Sequence, residues 1–317
     1  MTPFIVTLGA ATIDFFVKST DFEISHNSLI LPYSAKTEAQ SAAIVLGGGA
    51  TNSAVSFSRL GINSICLSPY PNNSFAEFVK STLRSEKVNI NHLYPSSEAD
   101  FSVILVAPDG GRTVVTWRGN QTPTATKIPW SKLIGASWFY ITSLEGNFSL
   151  LEKVIGFCRE NKIKIALNPG HRELAMRQNL LPLLPYVDFL LVNRTESETL
   201  TNLSFSNPKF FSSLLSLKVP IIALTNGRLG AHILTSESTL FSPIKNIKPV
   251  DETGAGDAFG STFVAALNFH LPLNEALSWA ITNSASVVSY LGAKAGLLTL
   301  SELNQSLKSH VGKTSKK

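Results

Sequence analysis

The segment from Asp251 to Gly260 brings glycines and the Asp257 carboxylate to the start of a long apolar run without proline, which predicts a helix after Asp257. The first amides of a helix have no partner in the helix, and glycines let a phosphate approach the backbone. Gly254, Ala255 and Gly256 could therefore form an anion hole. Asp257 would then accept a proton from an attacking hydroxyl. The same residues also fit an ordinary glycine-rich helix start with an acidic first turn.

A second glycine-rich segment, Gly47 to Gly49, precedes a predicted helix that runs to Leu60 and is followed by Gly61. Glycines allow a ligand to approach the backbone closely, and the Asn52 side chain offers both a donor and an acceptor. This combination suits a polyhydroxylated molecule. A tight turn between a strand and a helix also accounts for the segment.

Two further polar segments follow predicted strands, at the edge where open α/β sheets bind ligands. Asn193 ends one strand, and Glu196 lies about one helical turn later. An amide and a carboxylate at this spacing could hold hydrated Mg2+ through its waters, although they also fit a capping box. Thr225, Gly227 and Gly230 follow the next strand, and this loop suits either a nucleotide passing over the backbone or a plain turn.

These segments need a scaffold of strands and helices to bring them together. Short apolar runs that alternate with helical stretches predict strands near residues 4–8, 136–141, 163–167, 189–192 and 221–225. Strands separated by helices imply a parallel sheet covered on both faces. The chain after residue 251 is predicted to be mostly helical. A β-hairpin is predicted between Phe101 and Trp117, and with a strand near Phe15 it could form a small sheet over a cleft.

Composition excludes several classes of protein. With 317 residues, 44% of them hydrophobic and 15% charged, the chain can bury a large core. The net charge is +5, but the lysine and arginine residues are scattered along the chain apart from a C-terminal cluster at Lys313, Lys316 and Lys317. No nucleic-acid partner is therefore expected. Cys66 and Cys158 lie in apolar contexts, as reduced core cysteines of a cytoplasmic protein do. No apolar run approaches the roughly 18 to 20 residues that span a bilayer, so no membrane partner is expected.

Together, Gly47-Gly48 with Asn52, the N-x-x-E at 193–196 and the segment D-E-T-G-A-G-D at 251–257 resemble the motifs of the PfkB, or ribokinase-like, carbohydrate kinases in order and spacing. The resemblance implies an α/β, ribokinase-like fold with a central, mostly parallel sheet flanked by helices and a small β-sheet lid. It implies one domain over residues 1–317, with the lid built from segments near 13–34 and 100–120. A homodimer formed through the lid is a further expectation, because some members of the family pair in this way.

The resemblance also assigns roles to residues. Asp257 would be the general base, and the amides of Gly254, Ala255 and Gly256 would bind the transferring phosphoryl group. Glu196 would organise Mg2+ through water, and Asp251 could contact a monovalent cation such as K+. The substrate would be bound by Asp14, Gly48, Gly49, Asn52 and Glu145. ATP would be bound by Asn193, Thr225, Gly227, Gly230 and Asn283.

The expected activity is ATP-dependent phosphorylation of a hydroxyl, by preference a primary one, of a sugar or sugar derivative. The chain departs from the family pattern at two places. Glu252 stands where threonine is usual, which is expected to be harmless, and Gly49-Ala50 replaces the Lys-Gly of ribokinases proper, which puts ribose in doubt. A nucleoside kinase of the same fold is an alternative, with Trp117 stacking on a base. A non-catalytic sugar-binding relative is a second alternative. The sugar, the hydroxyl, the phosphoryl donor and the oligomeric state stay open.

Overall fold

A computed structural model describes residues 3–26, 28–98, 100–109, 111–119, 123–244, 247 and 249–314, with the backbone alone from 309 onwards. Gly110 of the predicted hairpin turn and the tail residues Lys316 and Lys317 lie outside this part of the chain. The strands are Phe4–Leu8 (β1), Thr12–Lys18 (β2), Glu23–Ser25 (β3), Ser28–Ile30 (β4), Ser41–Gly47 (β5), Asn63–Leu67 (β6), Pro69–Pro71 (β7), Tyr94–Ser96 (β8), Asp100–Val106 (β9), Arg112–Trp117 (β10), Ala136–Ile141 (β11), Lys164–Leu167 (β12), Phe189–Asn193 (β13), Ile221–Thr225 (β14), Ala231–Leu234 (β15) and Thr239–Ser242 (β16). The α-helices are Gly49–Arg59 (α1), Ala76–Ser85 (α2), Phe148–Glu160 (α3), His171–Ala175 (α4), Arg177–Leu180 (α5), Arg194–Thr201 (α6), Phe210–Leu215 (α7), Ala255–Asn268 (α8), Leu273–Val287 (α9) and Leu300–Thr314 (α10).

The central sheet has eight strands in the order β16-β15-β14-β13-β12-β11-β1-β6. Neighbouring strands from β14 to β6 run parallel, whereas β15 and β16 continue the sheet antiparallel. Helices α3 and α7 contribute to the core on one face, and α1, α8 and α9 contribute to the core on the other. The predicted α/β fold with a mostly parallel central sheet is therefore confirmed.

A second, four-stranded sheet has the order β10-β9-β2-β5 and is called the lid sheet below. Strand β2 pairs antiparallel with β5 and parallel with β9, and β9 and β10 form the predicted hairpin. The lid had been expected near 13–34 and 100–120. Within those segments β3 and β4 pair with each other in a separate two-stranded sheet, while β5, which the sequence pattern had not predicted, forms one edge of the lid sheet.

Alternation along the strands gives the lid sheet two different faces. On β9 the side chains of Asp100, Ser102 and Ile104 are buried, whereas Phe101 points away from them and is more exposed. On β10, cross-strand pairing sets Val114 opposite Ile104 and Trp117 opposite Phe101. The polar inner face therefore lies towards the central sheet, and the aromatic side chains lie on the outer face.

Both cysteines are buried and free, as predicted for reduced core residues. Burial raises the pKa of each thiol to about 12, so neither is reactive near neutral pH. In the described part of the chain no helix is long and apolar enough to cross a bilayer.

Candidate active site

A polar cavity of about 380 Å³ lies between the lid sheet and the carboxyl ends of the central strands. Loops at this edge of the sheet supply most of its walls, as expected for an open α/β fold. Eight of the predicted site residues line it: Asp14, Gly48, Gly49, Asn52, Glu145, Glu196, Gly254 and Asp257. Five separate segments of sequence therefore meet in one cavity, which we call the substrate cavity.

Asp257 lies in the first turn of α8 with its carboxylate at the wall of the substrate cavity. Its Oδ2 accepts a hydrogen bond of 2.8 Å from Asn52 Nδ2. Burial raises the pKa of Asp257, the Asn52 bond and the Lys294 ammonium act in the opposite direction, and the nearby Asp14 carboxylate raises the pKa further. The net increase makes Asp257 a better proton acceptor than an exposed aspartate.

The start of α8 depends on an unusual backbone conformation at Gly254, the residue before the helix. Its φ of 78° lies in the left-handed region, and a Cβ there would overlap Ala293. The Ala255 amide lies 3.4 Å from the Glu252 carbonyl. Among the described residues no acceptor is found for the amides of Gly254 and Gly256, so these two remain available to an anion.

Asp251 fixes the loop that leads into α8. Its Oδ1 accepts hydrogen bonds from the Thr253 amide at 3.0 Å and from Thr253 Oγ1 at 2.7 Å, and its Oδ2 accepts one from the Gly292 amide at 2.9 Å. Both oxygens are thus used to hold the loop in place. Contact of Asp251 with a monovalent cation stays a prediction.

Asp14 and Asn52 both line the substrate cavity. Asp14, on β2, is 6% exposed and accepts a 3.0 Å hydrogen bond from Thr12 Oγ1. Burial raises the pKa of Asp14, and hydrogen bonds and the Lys294 ammonium partly offset that effect. Asn52, in the first turn of α1, is 5% exposed and bonded to Asp257. A polyhydroxylated ligand in the cavity would meet one carboxylate and one amide on this wall.

Glu145 lies on the opposite wall between two arginines. Its Oε1 is 3.7 Å from Arg118 Nε, and its Oε2 is 3.3 Å from Arg172 Nε. The turn that carries it is held by the buried Glu173, whose Oε1 accepts hydrogen bonds from the amides of Leu144 and Gly146, both at 2.8 Å. This wall therefore presents a fixed carboxylate with positive charge on both sides.

A second cavity, of about 390 Å³, lies on the other side of the α8 start and is called the second cavity below. Predicted residues that line it are Asn193, Thr225, Gly227, Gly230, Ala255 and Gly256. The loop after β14 and the first turn of α8 thus face each other across it. Arg112 of the lid sheet lines both cavities, so the two are adjacent.

Asn283 does not line the second cavity, contrary to the sequence-based prediction. It is completely buried in α9, where its Nδ2 donates to Thr262 Oγ1 at 2.7 Å and its Oδ1 accepts from the Leu298 amide at 2.9 Å. Its amide therefore ties α9 to α8 and to the segment before α10. The cavity is lined instead by Ser284, one residue later, and by Ile281.

Asn193 and Glu196 form the capping box that the sequence allowed. Asn193 Oδ1 accepts from the Glu196 amide at 2.9 Å, and Glu196 Oε2 accepts from the Asn193 amide at 2.8 Å. Asn193 lines the second cavity and Glu196 the substrate cavity. Burial raises the pKa of Glu196, and its bond to the Asn193 amide opposes that increase. The box thus orients two oxygen-bearing side chains across the junction of the cavities.

The inner face of the lid sheet supplies two site residues that sequence reasoning missed, Arg112 and Arg118. A usable signal existed, because the hairpin pairing and strand alternation place Arg112 on the same face as Val114. Arg118 lies 3.7 Å from Asp100 Oδ2, and burial raises the pKa of Asp100 to about 6. No comparable local signal existed for Lys294, which reaches the site from the segment after α9.

Trp117 lies on the outer face of the lid sheet, away from the substrate cavity. Its ring stacks on Phe101 with a centroid separation of 6.4 Å, and both side chains line a separate surface groove with Phe15 and Phe75. Alternation along β10 prevents Trp117 from facing the cavity lined by Val114. The hypothesis that Trp117 stacks on a nucleoside base in this cavity is therefore wrong.

Known proteins resemble this chain over its whole length. The sequence profile of the pfkB family carbohydrate kinases matches residues 2–300. A ribokinase from Staphylococcus aureus (strain COL) is 24% identical over 316 residues, covering 96% of this chain and 100% of that protein. A nucleoside kinase from Methanocaldococcus jannaschii is 24% identical over 319 residues, covering 96% and 97%. An Arabidopsis thaliana ribokinase complexed with ribose and ATP has a TM-score of 0.80 at 18% identity, covering 97% and 99%.

Proposed function

We propose that this chain, which belongs to the pfkB family of carbohydrate kinases, transfers the γ-phosphoryl group of ATP to a hydroxyl of a sugar or sugar derivative. One observation carries the proposal: the substrate cavity and the second cavity meet at the start of α8. Asp257 lines the substrate cavity, and Gly256 lines the second cavity. A carboxylate beside an anion hole is useful for transfer and has no evident use in a protein that only binds sugar.

The reaction follows from this arrangement. A sugar hydroxyl placed beside Asp257 would give its proton to the carboxylate as its oxygen attacks the γ-phosphorus, and the bond from that phosphorus to the ADP oxygen would break. The amides of Gly254 and Gly256 would stabilise the charge on the transferring group. Most of the acceleration would come from positioning and charge stabilisation, as in other phosphoryl transfers.

ATP would occupy the second cavity, with its phosphates directed towards α8. Thr225, Gly227 and Gly230 offer backbone to the nucleotide, and the Asn193 amide lies nearer the junction of the cavities. Asn283 is excluded from this role because its amide is already bonded in the core. The apolar side chains of Phe259 and Ile281 line the same cavity and could pack against the adenine ring.

The donor set fits Mg2+ held mainly by phosphates. In the described part of the chain no group of three or more His, Cys, Asp or Glu side chains could form a metal site of its own. Mg2+ is commonly bound by one or two carboxylates together with substrate phosphates and water. Glu196 would hold its waters, and the ion would neutralise charge on the phosphates.

The sugar assignment is supported by the walls of the substrate cavity. Its described lining contains carboxylates, arginines, amides and hydroxyls but no aromatic side chain. The larger apolar side chains of the lining are aliphatic, Ile104 and Val114. A nucleoside base commonly stacks on an aromatic ring, whereas a sugar is recognised mainly by hydrogen bonds. A nucleoside kinase remains the second candidate, because the M. jannaschii nucleoside kinase matches this chain over nearly its whole length.

A coupled assay for ADP formation tests the proposal over a panel of pentoses, hexoses, sugar acids and nucleosides with Mg2+ and ATP. We expect turnover with at least one free sugar or sugar acid. Turnover with nucleosides alone would establish the second candidate. Binding of a sugar without turnover of any compound in the panel would establish a non-catalytic sugar-binding protein.

An Asp14→Asn variant tests the substrate side of the site. Asp14 is buried and oriented by Thr12, so its carboxylate is placed to accept hydrogen bonds from sugar hydroxyls. Loss of a charge-assisted bond costs about 1.5 to 3 kcal/mol, which corresponds to a rise of about 10- to 100-fold in KM for the sugar. KM for ATP should stay unchanged. The exposed Asp21→Asn variant is the matched control. Equal sugar KM values for both variants would show that Asp14 does not bind the sugar.

Two expectations from the sequence remain predictions: a cytoplasmic location and a homodimer formed through the lid sheet. Gel filtration with light scattering would decide the second.

A further inference from the structure

Lys294 is a buried cation that the proposed reaction has not yet used. It lies in the segment between α9 and α10, and its side chain reaches the first turn of α1. Its Nζ donates to the Leu46 carbonyl at 2.6 Å, to Thr51 Oγ1 at 3.0 Å and to Asn52 Oδ1. A lysine ammonium has three donors and no acceptor, so these three bonds satisfy it completely.

The bond to Asn52 determines which way the Asn52 amide faces. Because the ammonium can only donate, it must meet the amide oxygen, Oδ1. The other end of the amide, Nδ2, then points to Asp257 and donates to Oδ2 at 2.8 Å. The reverse orientation would set the amide NH2 against the ammonium and the amide oxygen against a carboxylate oxygen. Lys294 therefore selects one of the two orientations of the Asn52 side chain.

The fixed amide in turn orients the Asp257 carboxylate. Oδ2 is occupied by Asn52, and among the described residues no hydrogen-bond donor is found for Oδ1. An aspartate with one oxygen held and the other free can present the free oxygen to a hydroxyl in a single orientation. A connected series of contacts thus runs from Lys294 through Asn52 to the proposed base.

The surrounding charges and burial together determine whether Lys294 is protonated. A cation beside the first turn of a helix is opposed by the helix dipole, and burial lowers the pKa of Lys294 to about 8. Carboxylates on the surrounding elements oppose that decrease: Asp14 on β2, Asp257 on α8 and Glu86 after α2. The nearby Cys66 thiol on β6 is neutral near pH 7. Lys294 is therefore mostly protonated at pH 7 and keeps its three donors.

We infer that Lys294 is a positioning residue, which fixes the Asn52 amide so that Asp257 presents one free carboxylate oxygen to the substrate hydroxyl. The inference rests on the proposed function, in which Asp257 is the base. It concerns a residue outside all three sequence motifs, separated from Asn52 by 242 positions. Lys294 itself is not among the residues that line the substrate cavity.

The kinetic test is a double-mutant cycle with Lys294→Met and Asn52→Ala, with kcat and both KM values measured for each variant. Methionine keeps most of the side-chain volume and removes every donor. We expect Lys294→Met to lower kcat by about 10- to 100-fold, in line with a misplaced catalytic group, and to leave KM for ATP unchanged. Because Lys294 acts through Asn52, the double variant should be no slower than the slower single variant by more than about 2-fold.

Exposed Lys209→Met is the matched control and should retain wild-type kcat. If the two losses multiply in the double variant, Lys294 does not act through Asn52, and the inference is overturned. A kcat of Lys294→Met within about 2-fold of wild type would overturn it as well.

A structural readout separates this inference from the proposed function. The Asn52 side-chain amide can be observed by 15N NMR in the wild-type protein and assigned from its absence in Asn52→Ala. With both ends bonded, its protons should exchange with solvent at least about 10-fold more slowly than those of the exposed Asn91 side chain. Unprotected Asn52 protons in the wild-type protein would overturn the inference, even if Lys294→Met failed to fold. Protected protons together with a fully active Asp257→Asn variant would refute the base and leave the positioning intact.

Discussion

An Asp257→Asn variant is expected to lose about 100-fold or more of kcat, because asparagine cannot accept the proton of the attacking hydroxyl. The substitution is nearly isosteric and keeps an oxygen that can accept the 2.8 Å hydrogen bond from Asn52, so the cavity should persist. The measurement is steady-state ADP formation with the sugar found in the panel, together with the melting temperature. KM for ATP should change little, since the nucleotide lies in the second cavity.

The control for Asp257→Asn is Glu275→Gln. Glu275 is also an acidic residue in the first turn of a long helix, α9, but it is exposed to solvent. Both substitutions remove a charge that interacts favourably with a helix dipole, and only one removes the proposed base. Glu275→Gln should therefore keep kcat within about 2-fold of wild type. Near wild-type turnover in Asp257→Asn would show that another group takes the proton.

The same assignment gives the direction of the pH dependence. The base must be deprotonated to work, so kcat should fall as pH decreases through the pKa of Asp257. Burial raises that pKa, hence the fall should occur at higher pH than for an ordinary exposed aspartate. A pH profile of kcat measures this directly. A rate that stays constant down to the usual titration range of aspartate would contradict a buried carboxylate base.

A Gly254→Ala variant is expected to lose about 2 to 5 kcal/mol of unfolding free energy. A left-handed conformation costs a residue with a Cβ about 1 to 2 kcal/mol, and the added methyl would meet Ala293, where overpacking costs about 1 to 3 kcal/mol. Relief of this overlap would displace the start of α8, so kcat should fall by about 10-fold or more even in the molecules that stay folded. Urea denaturation and steady-state kinetics measure the two effects.

Gly256→Ala is the matched control for stability. Among the residues that the structure describes, no atom outside the helix's own backbone and the adjacent residues lies within 4 Å of a Cβ added at Gly256, which is inside the helix. Alanine is favoured over glycine there by up to about 1 kcal/mol, so the unfolding free energy should stay equal or increase. If both variants lost the same unfolding free energy, the left-handed conformation of Gly254 would not be the reason that this position requires glycine.

The prediction of the fold succeeded where local patterns are strong. Buried strands such as Phe189–Asn193 are continuous apolar runs, and their alternation with helices leaves few arrangements other than a covered parallel sheet. Strand β5 was missed although residues 42–46 are all apolar, because this short run leads directly into the glycines of the following motif. The short hairpin of β3 and β4 had no strong pattern either. Whether the lid extends over all of 13–34 and 100–120 stays a prediction.

The sequence correctly placed beside a cavity those residues whose position follows from a motif, while their roles stay predictions. Gly48, Asn193 and Asp257 lie at ends of strands or starts of helices, where the local backbone already determines which way they face. The prediction for Asn283 failed because Ser284, one residue later on the helix, lines the cavity instead. A helix turns by about 100° per residue, so an error of one position exchanges a site residue for a core residue.

The sequence by itself determined the family, the sheet and the three motifs that lie at the candidate active site, because each depends on residues close together in the chain. Only the tertiary structure decided three other features: the outward face of Trp117, the entry of Arg112 and Arg118 into the cavity, and the contact of Lys294 with Asn52. These depend on strand faces and on contacts between residues as much as 242 positions apart. No local periodicity encodes such a contact, since it exists only after the chain has packed.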